Sequence, residues 1–392
     1  MKLLLYFSDA FAWQYLEQRP FMEDFWRDRV PLHTILGYSS TVIPAIESGK
    51  PPRETGIWTE YYFERQESTM LERLVSRPRL AWLAVPANLA RLIAFRITRR
   101  LGRPDHRMRV PLPVSNLFAR HEIDYKRFPA VETGDTLADL FERQGLRVDF
   151  RFVESGLDPA AELARLRATG GESDVYFYYD PSLDEGGHAL GADVEKLSDI
   201  IDAQAAFVEA ATAELERFGD VDVLFFSDHG MATVETSYDI RQPLQDLRFG
   251  RDYVAFIDST FARFWYRDDA VRDSVRARLT DVPGSFLTQQ DQVEYALDFD
   301  DDRYGQDVVV ADEGVVFHPN YFPGKLLKPG EFALRGMHGY RPEAPSSYGV
   351  ALYRGVSRSD PLPSPIEATD LFDVVADLVR PTPADVGQTA HS

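Results

Sequence analysis

Aspartate and histidine residues recur in short segments whose composition suits metal binding. Asp184 and His188 are four residues apart, so both side chains can face one ion from a single helical turn or a tight loop. Asp228 and His229 are adjacent and directly follow the apolar run Val221–Phe226. Carboxylates and imidazoles bind zinc and manganese where cysteine is absent, and this chain of 392 residues has no cysteine. The pattern therefore predicts a centre for divalent metal ions.

Three further segments carry groups of related chemistry. Asp9 follows the apolar run 3–7, and His338 lies in the sequence Gly-Met-His-Gly-Tyr. Ser39 and Ser40 precede an apolar stretch. A serine hydroxyl in such a place can act as a nucleophile or can cap the helix that follows it. The two roles are compatible, because a phosphate bound at a helix N-terminus gains from the free N–H groups there.

The elements that must position these groups alternate along the chain. Apolar runs at 3–7, 175–179 and Val221–Phe226 are typical of buried strands. Between the last two, residues 191–218 carry apolar side chains at spacings of three and four, which predicts an amphipathic helix. Strand–helix–strand order with continuously apolar strands predicts a mainly parallel sheet that is covered on both faces. Ligands of such sheets gather at the carboxyl ends of the strands, where Asp9, Asp228 and His229 stand.

Two stretches interrupt this alternation, at about 61–128 and 240–330. We interpret both as cap insertions in a single catalytic domain that spans residues 1–392. The first contains the apolar run 80–95 and an arginine-rich stretch at 91–109. We interpret the apolar run as part of the core of the cap, and the arginine-rich stretch as a helix face exposed to solvent. Contact between 80–109 and a membrane is the less favoured alternative.

Charge and the N-terminal residues limit the class of protein. The chain has 63 acidic and 43 basic residues, a net charge of −20, which argues against a nucleic-acid-binding protein. The first apolar run stops at Ser8 and Asp9, whereas a signal peptide would continue apolar to a small-residue cleavage site. We therefore expect a soluble, cytoplasmic protein.

Taken in order, these segments resemble the alkaline phosphatase superfamily and, within it, the nucleotide pyrophosphatase/phosphodiesterase branch. The resemblance rests on Asp9, S-G-x-x-P-x-x-x-G-I from Ser48, D-x-x-x-H from Asp184, S-D-H-G-M from Ser227 and G-x-H-G-Y from Gly336. It implies an alkaline-phosphatase-like α/β sandwich with two divalent ions, zinc first and manganese as the alternative. One ion would be held by Asp9, Asp228 and His229, and the other by Asp184, His188 and His338.

The resemblance also implies a covalent nucleophile. Family members place a threonine or serine ten positions before the glycine of the T-G or S-G pair, and counting back from Gly49 gives Ser39. Ser40 is the second choice. Sulfatases share the superfamily but need a cysteine or serine followed two residues later by proline, and here Thr41 follows Ser39 at that distance.

One position departs from the branch. Its diesterases carry an asparagine shortly after the Gly-Ile pair, which donates to a phosphate oxygen, and Glu60 stands at about that place here. An ionised carboxylate cannot donate, so Tyr61 or Tyr62 becomes the candidate donor, or the substrate differs from a nucleotide diester. Glu60 and Tyr61 are therefore the expected substrate-binding residues.

The sequence favours a metal-dependent phosphoesterase that cleaves a phosphodiester or pyrophosphate bond through a phospho-serine intermediate. Its expected substrate is a small phosphorylated molecule such as a nucleotide or nucleotide-sugar, not a nucleic acid. A phosphomonoesterase, a phospho-group transferase on the same core, and a catalytically inactive metal-stabilised binding protein stay open as alternatives.

Overall fold

The computed structural model describes residues 1–64, 114, 117–131, 134–154, 158–321 and 334–380. The apolar run 80–95 and the arginine-rich stretch 91–109 lie outside the described residues, as does most of the predicted insertion 61–128. The division into one domain with two cap insertions stays a prediction.

The described strands are numbered in chain order. They are β1 Lys2–Ser8, β2 Asp28–His33, β3 Tyr61–Phe63, β4 Phe118–Arg120, β5 Val148–Phe152, β6 Val175–Asp180, β7 Val221–Phe226, β8 Ala232–Thr233, β9 Thr236–Asp239, β10 Tyr253–Ile257, β11 Phe261–Tyr266, β12 Gly284–Phe286, β13 Asp307–Ala311, β14 Val315–His318, β15 Gly336–Met337, β16 Gly349–Arg354 and β17 Ile366–Glu367.

The described helices connect and cover these strands. The α-helices are Trp13–Gln18, Ser39–Ser48, Pro52–Thr55, Leu137–Arg143, Pro159–Thr169, Ser182–Leu190, Val194–Leu215, Asp269–Arg278, Gln289–Glu294 and Asp370–Leu378. Short 3₁₀ helices span Glu216–Phe218, Gln242–Leu244 and Pro345–Ser347. No described helix combines the length and the apolar character needed to cross a membrane.

A seven-stranded sheet forms the centre, in the order β17-β2-β16-β7-β1-β6-β5. All its strands run parallel except β16, which is antiparallel to both neighbours. β1, β6 and β7 are buried along their whole length, as continuous apolar strands in a parallel sheet must be. The mainly parallel α/β fold predicted from the sequence is confirmed.

Both faces of this sheet carry an apolar core. Leu3, Leu5 and Phe7 pack on one face, and Leu4 and Tyr6 pack on the other, because successive side chains of a strand point to opposite sides. The helix Val194–Leu215 covers the second face with its buried apolar stripe, which confirms the helix predicted for 191–218. A second sheet, in the order β10-β11-β13-β12, lies within residues 253–311. Its buried side chains belong to a third hydrophobic core.

Candidate active site

The carboxyl ends of β1 and β7 bring the first predicted ligands together. Asp9 follows β1, and Asp228 and His229 follow β7, which is the hydrogen-bonded neighbour of β1. The two loops are joined directly, because Asp228 Oδ1 accepts hydrogen bonds from Ala10 N at 3.3 Å and from His229 N at 3.0 Å. All three ligand residues are buried. Strand adjacency therefore places side chains that are more than 200 residues apart in sequence side by side.

The remaining predicted ligands come from a helix and a short strand pair. Asp184 and His188 lie one turn apart on the helix Ser182–Leu190, and His188 Nε2 lies 3.3 Å from Asp184 Oδ1. β15 pairs with β8, so that Met337 lies opposite Ala232. This pairing carries His338 to the segment that follows Asp228 and His229. The motifs that contain His229 and His338 are thus held together by one short pair of antiparallel strands.

Two overlapping groups of ligand atoms result. Single ligand atoms of Asp9, Asp228 and His229 all lie within 4.8 Å of one another, and so do those of Asp184, His229 and His338. The first group is the set that the family resemblance implied for one ion. In the second group His229 takes the place expected for His188, although His188 contacts Asp184. The rings of His229 and His338 stack with centroids 3.7 Å apart.

The histidine tautomers fit a cation. His229 Nδ1 lies 2.9 Å from the Gly230 carbonyl oxygen, and His188 Nδ1 lies 2.9 Å from that of Gly336. A carbonyl oxygen can only accept, so both Nδ1 atoms carry the proton and donate it. Each Nε2 atom therefore faces the carboxylates, where it can bind a metal ion in place of a proton. Such hydrogen bonds from the other ring nitrogen are the usual way in which metal-binding histidines are oriented.

Buried atoms that lack partners give a second test of fit. Within the described residues, Asp184 Oδ1, Asp228 Oδ2 and His338 Nδ1 are buried and make no well-aligned hydrogen bond, although His188 Nε2 and His229 Nε2 lie 3.3 and 3.1 Å from the two carboxylate oxygens. Leaving a buried carboxylate oxygen unpaired costs on the order of 1–3 kcal/mol or more. Divalent ions bound between these groups would satisfy them, so the donor set fits metal binding.

Electrostatics point the same way. Burial and the charges of Asp228 and Asp184 raise the pKa of Asp9 well above its usual range. Burial lowers the pKa of His229, but Asp228, Asp9 and Asp184 outweigh that effect and raise the pKa to about 10. Burial and the neighbouring His229 and His188 lower the pKa of His338. Three carboxylates in a small buried volume attract positive charge, whether a proton or a metal ion supplies it.

Ser39 lies at this centre, at the start of the helix Ser39–Ser48. Its Oγ is 3.1 Å from His229 Nε2 and 3.5 Å from Asp9 Oδ1. Gly37 makes the tight entry to the helix possible, since its φ is +146° and a Cβ there would lie 2.2 Å from Thr41 Oγ1. The hydroxyl is thus held at a helix N-terminus between two of the predicted metal ligands.

The neighbouring hydroxyls take other positions. Ser40 Oγ is buried and has no hydrogen-bond partner among the described residues. Thr41 Oγ1 accepts from the N–H of Tyr38 at 3.3 Å, which closes a capping box, and donates to the Trp58 carbonyl oxygen. Helix capping therefore falls to Thr41, while Ser39 alone of these hydroxyls contacts the metal-site side chains.

The residues predicted to bind substrate lie in different surroundings. The carboxylate of Glu60 forms an ion pair with Arg120. Tyr61 is 1% exposed and its ring stacks on Phe256 with centroids 5.4 Å apart. Tyr62 is half-buried against the ring of His121. A role for Glu60 and Tyr61 in substrate binding stays a prediction.

Three residues around the site belong to none of the sequence motifs. Tyr179, near the end of β6, donates to Asp9 Oδ2 at 2.7 Å. Tyr125 packs edge-to-face against Tyr179, and Arg120 pairs with Glu60. Tyr179 alone carried a signal, because it ends the apolar run next to Asp180. Arg120 and Tyr125 stand in a segment without periodicity.

Comparisons with known proteins identify the family and related folds. The sequence profile of the family described as type I phosphodiesterase / nucleotide pyrophosphatase matches residues 3–341. No curated protein matches the sequence at a significant level. The solved structures that match include human and murine ectonucleotide pyrophosphatase/phosphodiesterase 5.

The superpositions extend over nearly the whole chain. The human protein gives a TM-score of 0.66 at 17% identity, covering 97% of this chain and 95% of that chain. The murine protein gives 0.66 at 17% identity, covering 97% and 96%. An inactive variant of the murine protein in complex with AMP gives 0.65 at 17% identity, covering 97% and 95%. At this identity the likeness shows a shared fold.

The family profile covers most of the 392 residues and includes every predicted metal ligand and Ser39. The family is metal-dependent, and its members are hydrolases of phosphoric ester bonds. The chain belongs to the type I phosphodiesterase / nucleotide pyrophosphatase family, within the alkaline phosphatase superfamily.

Proposed function

We propose that the protein cleaves a phosphodiester or pyrophosphate bond of a small phosphorylated molecule, and that Ser39 is its covalent nucleophile. The observation that carries the proposal is the position of Ser39 Oγ, 3.1 Å from His229 Nε2 and 3.5 Å from Asp9 Oδ1. Both of those residues belong to the group of Asp9, Asp228 and His229. An ion held there would also lie next to the serine oxygen.

Two divalent ions fit the six acidic and imidazole side chains. Asp9, Asp228 and His229 would hold one ion, and Asp184, His188 and His338 the other, as the family pattern implies. Zinc is our first choice, because carboxylate and imidazole ligands without thiolates suit it, and manganese is the alternative. When bound, such ions lower the pKa of a nearby hydroxyl and neutralise charge on the phosphoryl oxygens.

The chain's own groups then account for two steps. Ser39 Oγ loses its proton to solvent and attacks phosphorus, and an Oγ–P bond forms as the bond to the leaving oxygen breaks. Water then attacks the phospho-serine, releases the phosphate product and returns Ser39 to its starting state. The free N–H groups in the first turn of the helix Ser39–Ser48 can donate to the phosphoryl oxygens.

The substrate is proposed from family membership. The family acts on nucleotide substrates, and the murine type 5 protein has been solved with AMP. We therefore propose a nucleotide or nucleotide-sugar as the substrate. A cytoplasmic location stays a proposal, and so does the absence of nucleic-acid partners, which the net charge of −20 supports.

The proposal is tested by hydrolysis of bis-p-nitrophenyl phosphate and of a nucleotide-sugar. Activity should disappear with a chelator and return with zinc or manganese. Ser39→Ala should lower kcat by about 10³-fold or more, because the covalent route is lost, while the metal content stays that of the wild type. Absence of metal-dependent turnover of any phosphate ester would contradict the proposal.

Ser40→Ala is the matched control. It removes a hydroxyl of the same kind from the adjacent residue, where Oγ makes no described hydrogen bond, so activity should stay within about threefold of wild type. If Ser40→Ala abolishes turnover and Ser39→Ala does not, the nucleophile is Ser40. Preference for monoesters, or a phosphorylated product other than that of hydrolysis, would favour a monoesterase or a transferase on the same core.

A further inference from the structure

The segment that follows the Gly-Ile pair is tied to the nucleophile. Thr41, two residues after Ser39, donates through Oγ1 to the carbonyl oxygen of Trp58. Glu60 follows two residues later and is 8% exposed. The side chain at position 60 is therefore fixed relative to the N-terminus of the Ser39–Ser48 helix, where the reacting phosphate would bind.

A strand pair fixes Arg120 beside Glu60. Tyr61 in β3 lies opposite Arg120 in β4, and the N–H of His121 donates to the Glu60 carbonyl oxygen at 2.9 Å. Arg120 directs both Nε and Nη2 toward Glu60 Oε1. Burial lowers the pKa of Arg120, but Glu60 and the nearby tyrosines raise it overall, so the guanidinium stays charged.

Two tyrosines link the metal site to the segment that follows Arg120. Tyr179 donates to Asp9 Oδ2 at 2.7 Å, and the ring of Tyr125 meets the ring of Tyr179 edge-to-face, with centroids 6.4 Å apart. Burial and the charges of Glu60 and Asp9 raise the pKa of the Tyr125 hydroxyl, whereas Arg120 lowers it.

The two partners differ in what they can offer a ligand. The Glu60 side chain is 11% exposed and its charge is balanced by Arg120, whose side chain is 36% exposed. Within the described part of the chain, Arg120 Nη1 has no hydrogen-bond acceptor. A guanidinium has five N–H donors in a planar fork, so the edge that faces away from Glu60 can donate to a second anion.

We infer that Arg120, held in place by Glu60, is a specificity-determining residue. It contacts an anionic oxygen of a second phosphate group of the substrate, which a simple diester lacks. The inference deepens the proposed function and rests on it. A cation beside the phosphate favours extra negative charge, which a neutral donor does not. The site then prefers adjacent phosphates, as in a pyrophosphate-linked nucleotide, over a mono-anionic diester.

The test compares two substrates in wild type and Arg120→Gln. We expect kcat/KM for UDP-glucose to fall about 10–100-fold and that for bis-p-nitrophenyl phosphate to fall less than about threefold, because only the former carries a second phosphate charge. Equal falls for both substrates would mean that Arg120 only supports Glu60 and β4. Unchanged values for both would also overturn the inference.

Two further variants keep the test decisive. Arg120→Lys keeps the charge without the fork and should lose only about 3–10-fold of the preference for UDP-glucose, even if Arg120→Gln fails to fold. Arg354→Gln breaks a comparable ion pair with Glu216, where Arg354 is 33% exposed, and should leave the preference unchanged. If wild-type protein cleaves neither substrate, the proposed function fails, whereas loss of the preference alone leaves that function standing.

Discussion

Tyr179 is expected to determine how tightly the site of Asp9, Asp228 and His229 holds its ion. The Tyr179 hydroxyl donates to Asp9 Oδ2 at 2.7 Å, and the two residues are 6% and 4% exposed. This bond fixes the carboxylate so that Oδ1 faces Ser39 and His229, at 3.5 and 3.6 Å. Tyr179→Phe removes only the hydroxyl and keeps the ring that stacks on Phe7.

Two opposing effects set the magnitude. The hydrogen bond from Tyr179 lowers the pKa of Asp9, so its loss makes the carboxylate more basic and would tighten metal binding. Loss of orientation acts against binding, and a buried hydrogen bond to a charged group is worth about 1.5–3 kcal/mol. We expect orientation to dominate, because removal of the groups that hold metal ligands in place typically weakens metal affinity about 10–100-fold. That range corresponds to about 1.4–2.8 kcal/mol, in agreement with the value of the bond.

The assay is a competition titration of zinc against a chromophoric chelator, with unfolding by urea measured in parallel. Tyr353→Phe is the matched control, because Tyr353 donates to the buried carboxylate of Asp222 at 2.6 Å at the opposite end of β7. Both variants should lose unfolding free energy, but only Tyr179→Phe should lose zinc affinity. Zinc affinity within twofold of wild type for Tyr179→Phe, or an equal loss in both variants, would refute the reasoning.

Two other predictions concern stability. Burial raises the pKa of Glu47 to about 8 from an ordinary 4.5, despite the hydrogen bond from Ala130 N, so the folded chain holds a proton that the unfolded chain releases between these values. The free energy of unfolding should therefore fall by on the order of 4 kcal/mol as pH rises from 4.5 to 8. Urea unfolding of Glu47→Gln should lack this pH dependence. If the unfolding free energy of Glu47→Gln depends on pH as strongly as that of the wild type, Glu47 is not the group responsible. Gly339→Ala should lower unfolding free energy by more than about 2 kcal/mol and impair activity, because φ is +84° and a Cβ would lie 2.6 Å from the Tyr38 ring. Gly219→Ala, at φ +135° with nothing within 4 Å, should show only the backbone cost in the same melts, and an equal effect of both would argue against the packing explanation.

The parts of the fold that local sequence determines could be predicted. Val221–Phe226 has the bounds expected from its sequence, because a strand buried on both faces is apolar at nearly every position and Asp222 is its only polar residue. Asp184 and His188 could be placed together because one helical turn fixes their separation. Asp9 could be placed at the ligand-binding edge because it follows such a strand.

The parts that depend on distant partners could not be predicted. β16 inserts antiparallel between β7 and β2, and no local pattern in its sequence states which strands it will pair with. The ion pair of Glu60 and Arg120 joins residues 60 positions apart, and it depends on the β3–β4 register. The sequence indicated that Glu60 itself cannot donate a hydrogen bond to a phosphate oxygen. The fold places a donor, Arg120, beside it from a neighbouring strand.

The pairing of Glu60 with Arg120 helps to explain how an acidic protein can present a site for an anion. The net charge of −20 would repel a phosphate if it acted evenly over the surface, but short-range partners set the potential inside a buried site. The carboxylates of Asp9, Asp184 and Asp228 form groups with His229 and His338 that divalent ions would neutralise. Glu60 is neutralised by Arg120. Each of these acidic side chains would therefore have a counter-charge of its own. The edge of the Arg120 guanidinium that faces away from Glu60 is the group that we expect to distinguish a substrate with two adjacent phosphates from one with a single phosphate charge.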